Sequence, residues 1–138
     1  MLRQVVLDCV DARELAEFYR LLLGFTYRPG DEPPPAGEAD PAAADWLGLR
    51  DPAGRTGISF QPVTELATAT WPDPAVPQQL HLDLTVPDLA SLDRQHERVL
   101  ALGGRLLLDR AADPEEALRA YADPAGHPFC IIVAPPVP

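Results

Sequence analysis

One order of predicted elements occurs twice in this chain, and the repetition constrains its fold more than any other feature. Across residues 79–108, apolar residues from Leu80 to Val86 alternate with polar ones, as in a strand with one apolar face. A proline ends this strand, and Asp88 occupies the N-cap position of a helix with apolar residues at helical spacing. The helix ends at a glycine pair, and a second strand follows.

The N-terminal half shows the same order. Residues 4–10 predict a strand, and Asp11 is the N-cap of a helix, with Glu14 completing a capping box. Both helices are later followed by the tetrapeptide Asp-Pro-Ala-Gly, at residues 51–54 and 123–126, which is typical of a type I turn. We therefore predict a tandem duplication of a βαβββ module, and with it an α+β fold class.

The predicted elements divide the chain into two modules of one domain. Module one spans residues 1–63, a linker residues 64–77 and module two residues 78–138. The predicted strands cover residues 2–9, 25–28, 45–50, 57–63, 80–86, 106–108, 118–122 and 128–134, and the predicted helices residues 12–23 and 89–102.

Two segments outside these elements each have two possible roles. Residues 29–44 form a proline-rich surface loop, which is either a lid over a pocket or a tolerated insertion. Trp71, in the linker, is expected as a plug between the modules, with a position at a pocket rim as the alternative.

Composition excludes several functional classes. The net charge of −10 repels phosphate backbones, so a nucleic-acid partner is not expected; it suits a cationic ligand or simply keeps the protein soluble. No apolar run reaches the ~20 residues of a membrane span, and no signal-peptide pattern is present, so we expect a cytoplasmic protein without membrane contact. Cys9 and Cys130 lie in apolar strands and are expected to be buried free thiols.

Three stretches carry a resemblance to a known group of proteins. They are VVLDCVDARELAEFYRLLLGF at residues 5–25, HLDLTVPDL at 81–89 and ADPAGHPFCIIV at 122–133. With them the chain resembles the vicinal oxygen chelate (VOC) superfamily, and within it the glyoxalase-like domains. The resemblance implies two βαβββ modules forming an open eight-stranded cup around a small organic ligand, and a homodimer.

The resemblance also implies where a divalent metal would bind. Enzymes of this superfamily hold it with residues of the first and last strand of each module. These slots fall on Gln4, His81 and Cys130, and on either Ser59 or Gln61. Only His81 is a strong ligand for a catalytic divalent ion, since amides are weak donors and a thiol must first lose its proton. We expect no metal cofactor; if one binds, the expected ligands are His81, Gln4, Gln61 and Cys130.

His81 is the one candidate catalytic residue. It is either a general base or hydrogen-bond donor supported by Asp83 or Asp8, or a remnant of a metal site. Cys130 is expected to pack rather than to act as a nucleophile. His96 is expected on the solvated surface, and His127 in a loop. The residues expected to line the ligand pocket are Gln4, Asp8, Ser59, Phe60, Gln61, His81, Asp83 and Cys130.

Three functions remain open at this point. The first is a glyoxalase-like protein that encloses a small organic ligand without a well-formed catalytic metal site. The second is a metal-dependent lyase or dioxygenase of the VOC superfamily. The third is an antibiotic-sequestering resistance protein that resembles the bleomycin-binding members.

Overall fold

The structure of the protein is a computed structural model that describes residues 3–76 and 80–134. Leu2, residues 77–79 and the predicted proline-rich tail at 135–138 lie outside the described residues. The chain divides into two compact units, Met1–Ala67 and Thr68–Pro138. Neither helix in the described ranges is long and apolar enough to cross a membrane.

The first unit is a four-stranded sheet with one helix. Its strands follow the order β1-β4-β3-β2, with β1 parallel to β4 and the other neighbours antiparallel. The elements are β1 Gln4–Cys9, α1 Ala12–Leu23, β2 Thr26–Tyr27, β3 Leu47–Arg50 and β4 Gly57–Pro62.

The second unit repeats this topology. Its sheet order is β5-β8-β7-β6, again with the first and last strands of the module parallel. This confirms the predicted duplication of a βαβββ module, and every described element begins and ends within two residues of its predicted bounds. The elements are β5 Leu82–Val86, α2 Leu89–Ala101, β6 Arg105–Arg110, β7 Leu118–Ala122 and β8 Pro128–Val133.

Both helices begin at the predicted aspartates. The side chain of Asp11 accepts a hydrogen bond from the backbone N of Glu14 at 2.9 Å, and that of Asp88 accepts one from Ser91 at 2.7 Å. Each bond satisfies an N–H group that the first helical turn leaves without a partner. Helix α1 ends at Gly24, whose φ of 68° is the left-handed conformation that glycine adopts without strain.

Each helix packs against one face of its own sheet and creates the core there. In the first unit, the ring of Tyr19 on α1 stacks on that of Phe60 on β4, with centroids 6.1 Å apart. In the second unit, Leu92 and Val99 of α2 are fully buried. Because side chains alternate along a strand, the residues between these core positions lie on the opposite face of each sheet.

The two Asp-Pro-Ala-Gly turns differ in length. In the second unit the backbone N of Asp123 bonds to the carbonyl of His127, four residues on, at 2.9 Å. In the first unit, Asp51 bonds to Thr56, five residues on, at 2.9 Å. The first turn therefore holds one more residue before its last strand.

The proline-rich loop at 29–44 is anchored to the first unit. Arg13 of α1 binds both carboxylate oxygens of Asp40, at 2.7 and 3.1 Å, and the carbonyl of Asp31 at 2.8 Å. Asp31, only 5% exposed, accepts hydrogen bonds from the backbone N of Gly48 at 2.8 Å and from Arg28. The loop is thus held at two points, by a charged pair and by a buried carboxylate with full hydrogen bonding.

Two strand glycines give a matched test of this sheet. A Cβ atom at Gly57 would lie 2.0 Å from the carbonyl oxygen of Leu49, whereas one at Gly48 would meet nothing nearer than 3.5 Å. We expect Gly57→Ala to lower the free energy of unfolding by about 2 kcal/mol or more, because backbone must move to admit the methyl group. Gly48→Ala should change it by less than about 1 kcal/mol. Urea denaturation measures both, and equal losses would contradict the close approach of β3 and β4.

Candidate functional site

The candidate site lies within the second unit, at a cavity of about 320 Å³. It lies on the sheet face opposite helix α2, where Asp83 of β5 lies beside Cys130 and Ile132 of β8. Four strands contribute to it, together with a segment that precedes β5. The lining residues are Trp71, Pro72, His81, Asp83, Leu108, Arg110, Glu116, Leu118, Cys130 and Ile132.

Strand register brings these side chains together. In the parallel pair β5/β8, Asp83 lies directly opposite Cys130. Two residues further along β8, Ile132 lies opposite Leu118 of β7, which in turn lies opposite Arg110 of β6. His81 precedes Asp83 by two residues and therefore shares its side of the sheet. His81, Asp83 and Cys130 thus lie together on the cavity floor, and Ile132, Leu118 and Arg110 form the neighbouring row.

His81, Asp83 and Cys130 form a close cluster. Their nitrogen, oxygen and sulfur atoms all lie within 4.8 Å of one another, and His81 Nε2 is 3.4 Å from Asp83 Oδ1. The indole of Trp71 stacks on the His81 ring, with centroids 4.2 Å apart and planes inclined by 23°. The imidazole is therefore oriented on one side by an aromatic surface and at its edge by a carboxylate.

Burial and negative charge keep the Cys130 thiol protonated. Burial, followed by the charge of Asp83 and its hydrogen bond and by the charge of Glu116, raises the pKa of Cys130 to about 11. At neutral pH only about one thiol in ten thousand is then ionised, because each pKa unit is a tenfold change. Cys130 is a poor nucleophile in this state.

The edge of the cavity carries more negative than positive charge. The side chains of Asp83 and Glu116 are 53% and 57% exposed there. Arg110 is the cation among the lining residues, and it forms an ion pair with Asp113 while lying 3.9 Å from Glu116. Since Arg110 is already shared between two carboxylates, the remaining acidic charge favours a cationic or hydrogen-bond-donating ligand.

The predicted pocket residues of the first unit lie on the corresponding face of their own sheet, with one exception. Gln4, Asp8, Ser59 and Gln61 lie on β1 and β4 on the side opposite α1. Phe60 does not: it is fully buried under α1 against Tyr19, and its prediction as a pocket residue was wrong. Adjacent residues of a strand point to opposite faces, so Phe60 is incompatible with Ser59 and Gln61 on one wall.

The register also decides between Ser59 and Gln61 as the counterpart of Cys130. Ser59 pairs with Val6, five residues before the first helix cap, and Cys130 pairs with Asp83, five residues before the second cap. Ser59 is thus the equivalent residue, because the first turn is one residue longer. Its hydroxyl is 1% exposed and has no hydrogen-bond partner among the described residues.

Several side chains occupy positions that the sequence did not indicate. Nδ1 of His96, expected on the solvated surface, lies 3.2 Å from the hydroxyl of Tyr121. Trp71 packs on His81 and lines the cavity of the second unit, a position that agrees with the pocket-rim alternative. Glu116 lines the cavity but belongs to no sequence motif. Ile132 also lines it, and the alternation of side chains along a strand places Ile132 on the same face as Cys130. His127 follows the turn glycine, as expected.

The donor sets of the two units differ in their fit to a metal ion. The slots implied by the resemblance hold the neutral donors of Gln4 and Ser59 in the first unit, a poor match for a catalytic divalent ion. In the second unit His81, Asp83 and Cys130 supply nitrogen, oxygen and sulfur within 4.8 Å. These three residues fit a borderline-soft ion such as Zn²⁺, which when bound acts as a Lewis acid.

Two βαβββ modules, each with its first and last strand paired in parallel, match the vicinal oxygen chelate fold. The family model described as "Glyoxalase-like domain" matches residues 4–132. The chain therefore belongs to the glyoxalase-like domain family. No curated protein matches it significantly in sequence.

Solved structures share the fold at low sequence identity. A glyoxalase/dioxygenase from Nostoc punctiforme is 19% identical, with 99% of this chain and 92% of that chain covered at a TM-score of 0.66. The fosfomycin resistance protein FosX from Listeria monocytogenes is 14% identical, with 97% of this chain and 91% of that chain covered at a TM-score of 0.67. A hypothetical protein, SA1046 from S. aureus, is 18% identical, with 97% of this chain and 96% of that chain covered at a TM-score of 0.64. At these identities the similarity establishes the fold alone.

The raised pKa of Cys130 predicts a pH dependence of stability. The unfolded thiol loses its proton near pH 9 and the folded one near pH 11, so the folded state binds more protons in between. Stability should therefore fall as the pH rises from about 9 to about 11, by roughly 2 kcal/mol. The tyrosines Tyr27 and Tyr121, whose pKa values are raised to about 12, add a loss at higher pH.

Comparison with Cys130→Ser isolates the thiol. Urea denaturation under reducing conditions should show that the difference in unfolding free energy between wild type and variant is constant below about pH 8. By about pH 11 the wild type should have lost roughly 2 kcal/mol more unfolding free energy than the variant. A difference that stays constant throughout would contradict the assigned protonation of Cys130.

Proposed function

We propose that this glyoxalase-like protein binds a small organic molecule in the cavity of its second unit, and that binding needs neither a catalytic metal nor turnover. The observation that carries the proposal is the stack of Trp71 on His81 above Asp83 and Cys130 in that cavity. An aromatic surface beside a few convergent polar groups is the usual composition of a ligand site.

The size of the cavity limits the ligand. A volume of about 320 Å³ lies at the lower end of the range for small-molecule pockets. It accommodates a bicyclic ring with a short side chain. This volume supports a small organic ligand within one unit, whereas the bleomycin-type sequestration considered from the sequence would use a groove between subunits.

The charge of the cavity supports a cation. Asp83 and Glu116 provide two part-exposed carboxylates, while the charge of Arg110 is shared with Asp113. The indole of Trp71 adds an aromatic face, on which a cation is attracted by the ring quadrupole. A flat ring with an ammonium group would use both features at once.

Binding without covalent chemistry agrees with the state of the side chains. The thiol of Cys130 is protonated at neutral pH, because burial raises its pKa to about 11. His81, paired with Asp83, is the group at this cavity suited to proton transfer, and in the proposed function it positions the ligand by hydrogen bonding.

Three indole compounds of similar size test the proposal: tryptamine, which is cationic, indole, which is neutral, and indole-3-acetate, which is anionic. Isothermal titration calorimetry measures the binding of each compound without relying on indole fluorescence, which the ligands share with Trp71. We expect affinity to fall in the order tryptamine, indole, indole-3-acetate. Asp83→Asn should weaken tryptamine binding about fivefold, since one exposed ion pair is worth up to about 1 kcal/mol.

Glu97→Gln is the matched control, since it removes one carboxylate from helix α2 on the other face of the sheet. It should leave tryptamine binding unchanged. The thermal midpoint of wild-type protein should rise with tryptamine concentration. The proposal fails if none of the three compounds gives a measurable heat of binding at millimolar concentration and native mass spectra show no co-purified organic molecule.

A further inference from the structure

We propose that a second cavity, on the helix side of the first unit, binds an α-amino acid with an aliphatic side chain. This inference goes beyond the proposed function, which concerns the second unit alone. The cavity has a volume of about 360 Å³ and lies between helix α1, strand β2 and the start of the proline-rich loop. None of the positions implied by the family resemblance lines it.

The cavity lies on the face of the first sheet that carries α1. Tyr27 of β2 lines it, and the Tyr27 hydroxyl donates a hydrogen bond of 2.6 Å to Oε1 of Glu17 on α1. Gln4 and Ser59 lie on the opposite face of the same sheet. A molecule bound in this cavity is therefore separated by the sheet from those two positions.

Arg20 of α1 has an open edge for a carboxylate. Its Nε and Nη2 atoms each donate to Glu17 at 2.9 Å, which uses one edge of the planar guanidinium. Arg20 has no further hydrogen bond with the described residues, so the edge formed by Nη1 and the second Nη2 hydrogen remains open. This edge fits a carboxylate through two parallel hydrogen bonds. Arg110 of the other cavity differs, because two carboxylates already share it.

The pairing with Glu17 also fixes where the open edge lies. Glu17 accepts three hydrogen bonds, two from Arg20 and one from Tyr27. The guanidinium of Arg13 lies 4.9 Å from the centroid of the Tyr27 ring and covers it. Arg20 is thus held in one orientation before a ligand arrives, which reduces the entropy lost on binding.

Glu32 supplies the opposite charge at the start of the loop. Its Oε2 accepts a hydrogen bond from the backbone N of Gly30 at 2.8 Å, and its side chain forms no ion pair with the described residues. The preceding residue, Asp31, is buried and hydrogen-bonded, which holds the backbone from which Glu32 projects. Because Arg20 neutralises Glu17, Glu32 gives the cavity a net negative charge that favours an ammonium group.

The combination of these groups defines the class of ligand. Phe25 and Pro33 add apolar surface to the same cavity. A molecule with a carboxylate for Arg20, an ammonium for Glu32 and a short apolar side chain uses all three features, and an aliphatic α-amino acid has this chemistry. A purely anionic ligand would be repelled by Glu32, and a purely cationic one would leave the Arg20 edge unpaired.

The proposed site also concerns the proline-rich loop. Glu32 and Pro33 belong to the segment at 29–44, for which the sequence allowed a lid or a tolerated insertion. The start of this loop forms one wall of the cavity. Its position there agrees with the lid alternative.

Heteronuclear NMR of isotope-labelled protein at slightly acidic pH tests the site with three compounds. They are L-leucine, leucinamide, which lacks the carboxylate, and N-acetyl-leucine, which lacks the ammonium group. L-leucine should shift the backbone amides of Thr26, Tyr27 and Glu32 saturably, at one molecule per chain, and leave the indole N–H of Trp71 unshifted. The other two compounds should bind there about fivefold more weakly, since each loses one exposed ion pair.

Two variants separate the charged groups. Arg20→Lys keeps the charge but removes the open edge, so it should weaken L-leucine binding about fivefold and not that of leucinamide. Glu32→Gln should weaken L-leucine and leucinamide about fivefold and not N-acetyl-leucine. The matched controls are Arg98→Lys, in the last turn of α2, and Glu38→Gln, in the same loop; neither residue lines the cavity, and both variants should bind L-leucine as the wild type does.

The amide spectrum of each variant establishes that it is folded, and the comparison of the three compounds on the wild type needs no variant. The site is overturned if saturating L-leucine leaves the three amides unshifted or if the three compounds bind equally. It is also overturned if folded Arg20→Lys and Glu32→Gln both bind L-leucine with wild-type affinity.

The two proposals fail separately. Saturating tryptamine should leave the leucine-induced shifts of Thr26 and Glu32 unchanged, because the two cavities lie in different units. Loss of these shifts in tryptamine would overturn the second site. Leucine binding without tryptamine binding removes the proposed function and keeps this site, and the reverse result removes this site alone.

Discussion

The parallel pairing of the first and last strands in each module is the constraint on which the rest of the structure depends. It sets β1 beside β4 and β5 beside β8, and so decides which residue of one strand lies opposite which residue of the other. A shift of one residue would move every side chain to the other face of its sheet. The apolar face covered by each helix makes such a shift costly, and the register of Asp83 against Cys130 is fixed as a consequence.

Local signals made the elements predictable, and tertiary details limited the prediction of the site. Asp11 and Asp88 mark helix starts by a mechanism confined to one turn, so sequence spacing was sufficient to place them. The choice between Ser59 and Gln61 depended on one extra residue in a turn, which an Asp-Pro-Ala-Gly match does not reveal. Trp71 lies ten residues from His81, and no periodic pattern connects a linker residue with the ring on which it stacks.

The two modules have the same topology but different chemistry at equivalent positions. The ligand positions implied by the resemblance hold Gln4 and Ser59 in the first module and His81 and Cys130 in the second. Val6 lies opposite Ser59, and Asp83 lies opposite Cys130. Beside Ser59, the carboxylate of Asp31 hydrogen-bonds the neighbouring backbone, and its loop is fixed by Arg13. Duplication thus supplied two copies of one scaffold, of which the second carries the ionisable donors.

The electrostatics of the cavity in the second unit connect its proposed ligand with the protonation of Cys130. Burial, followed by the negative potential of Asp83 and Glu116, raises the pKa of Cys130, because both disfavour the charged thiolate. The same potential attracts any cation that enters. An organic ammonium would be held at the carboxylates while the thiol keeps its proton.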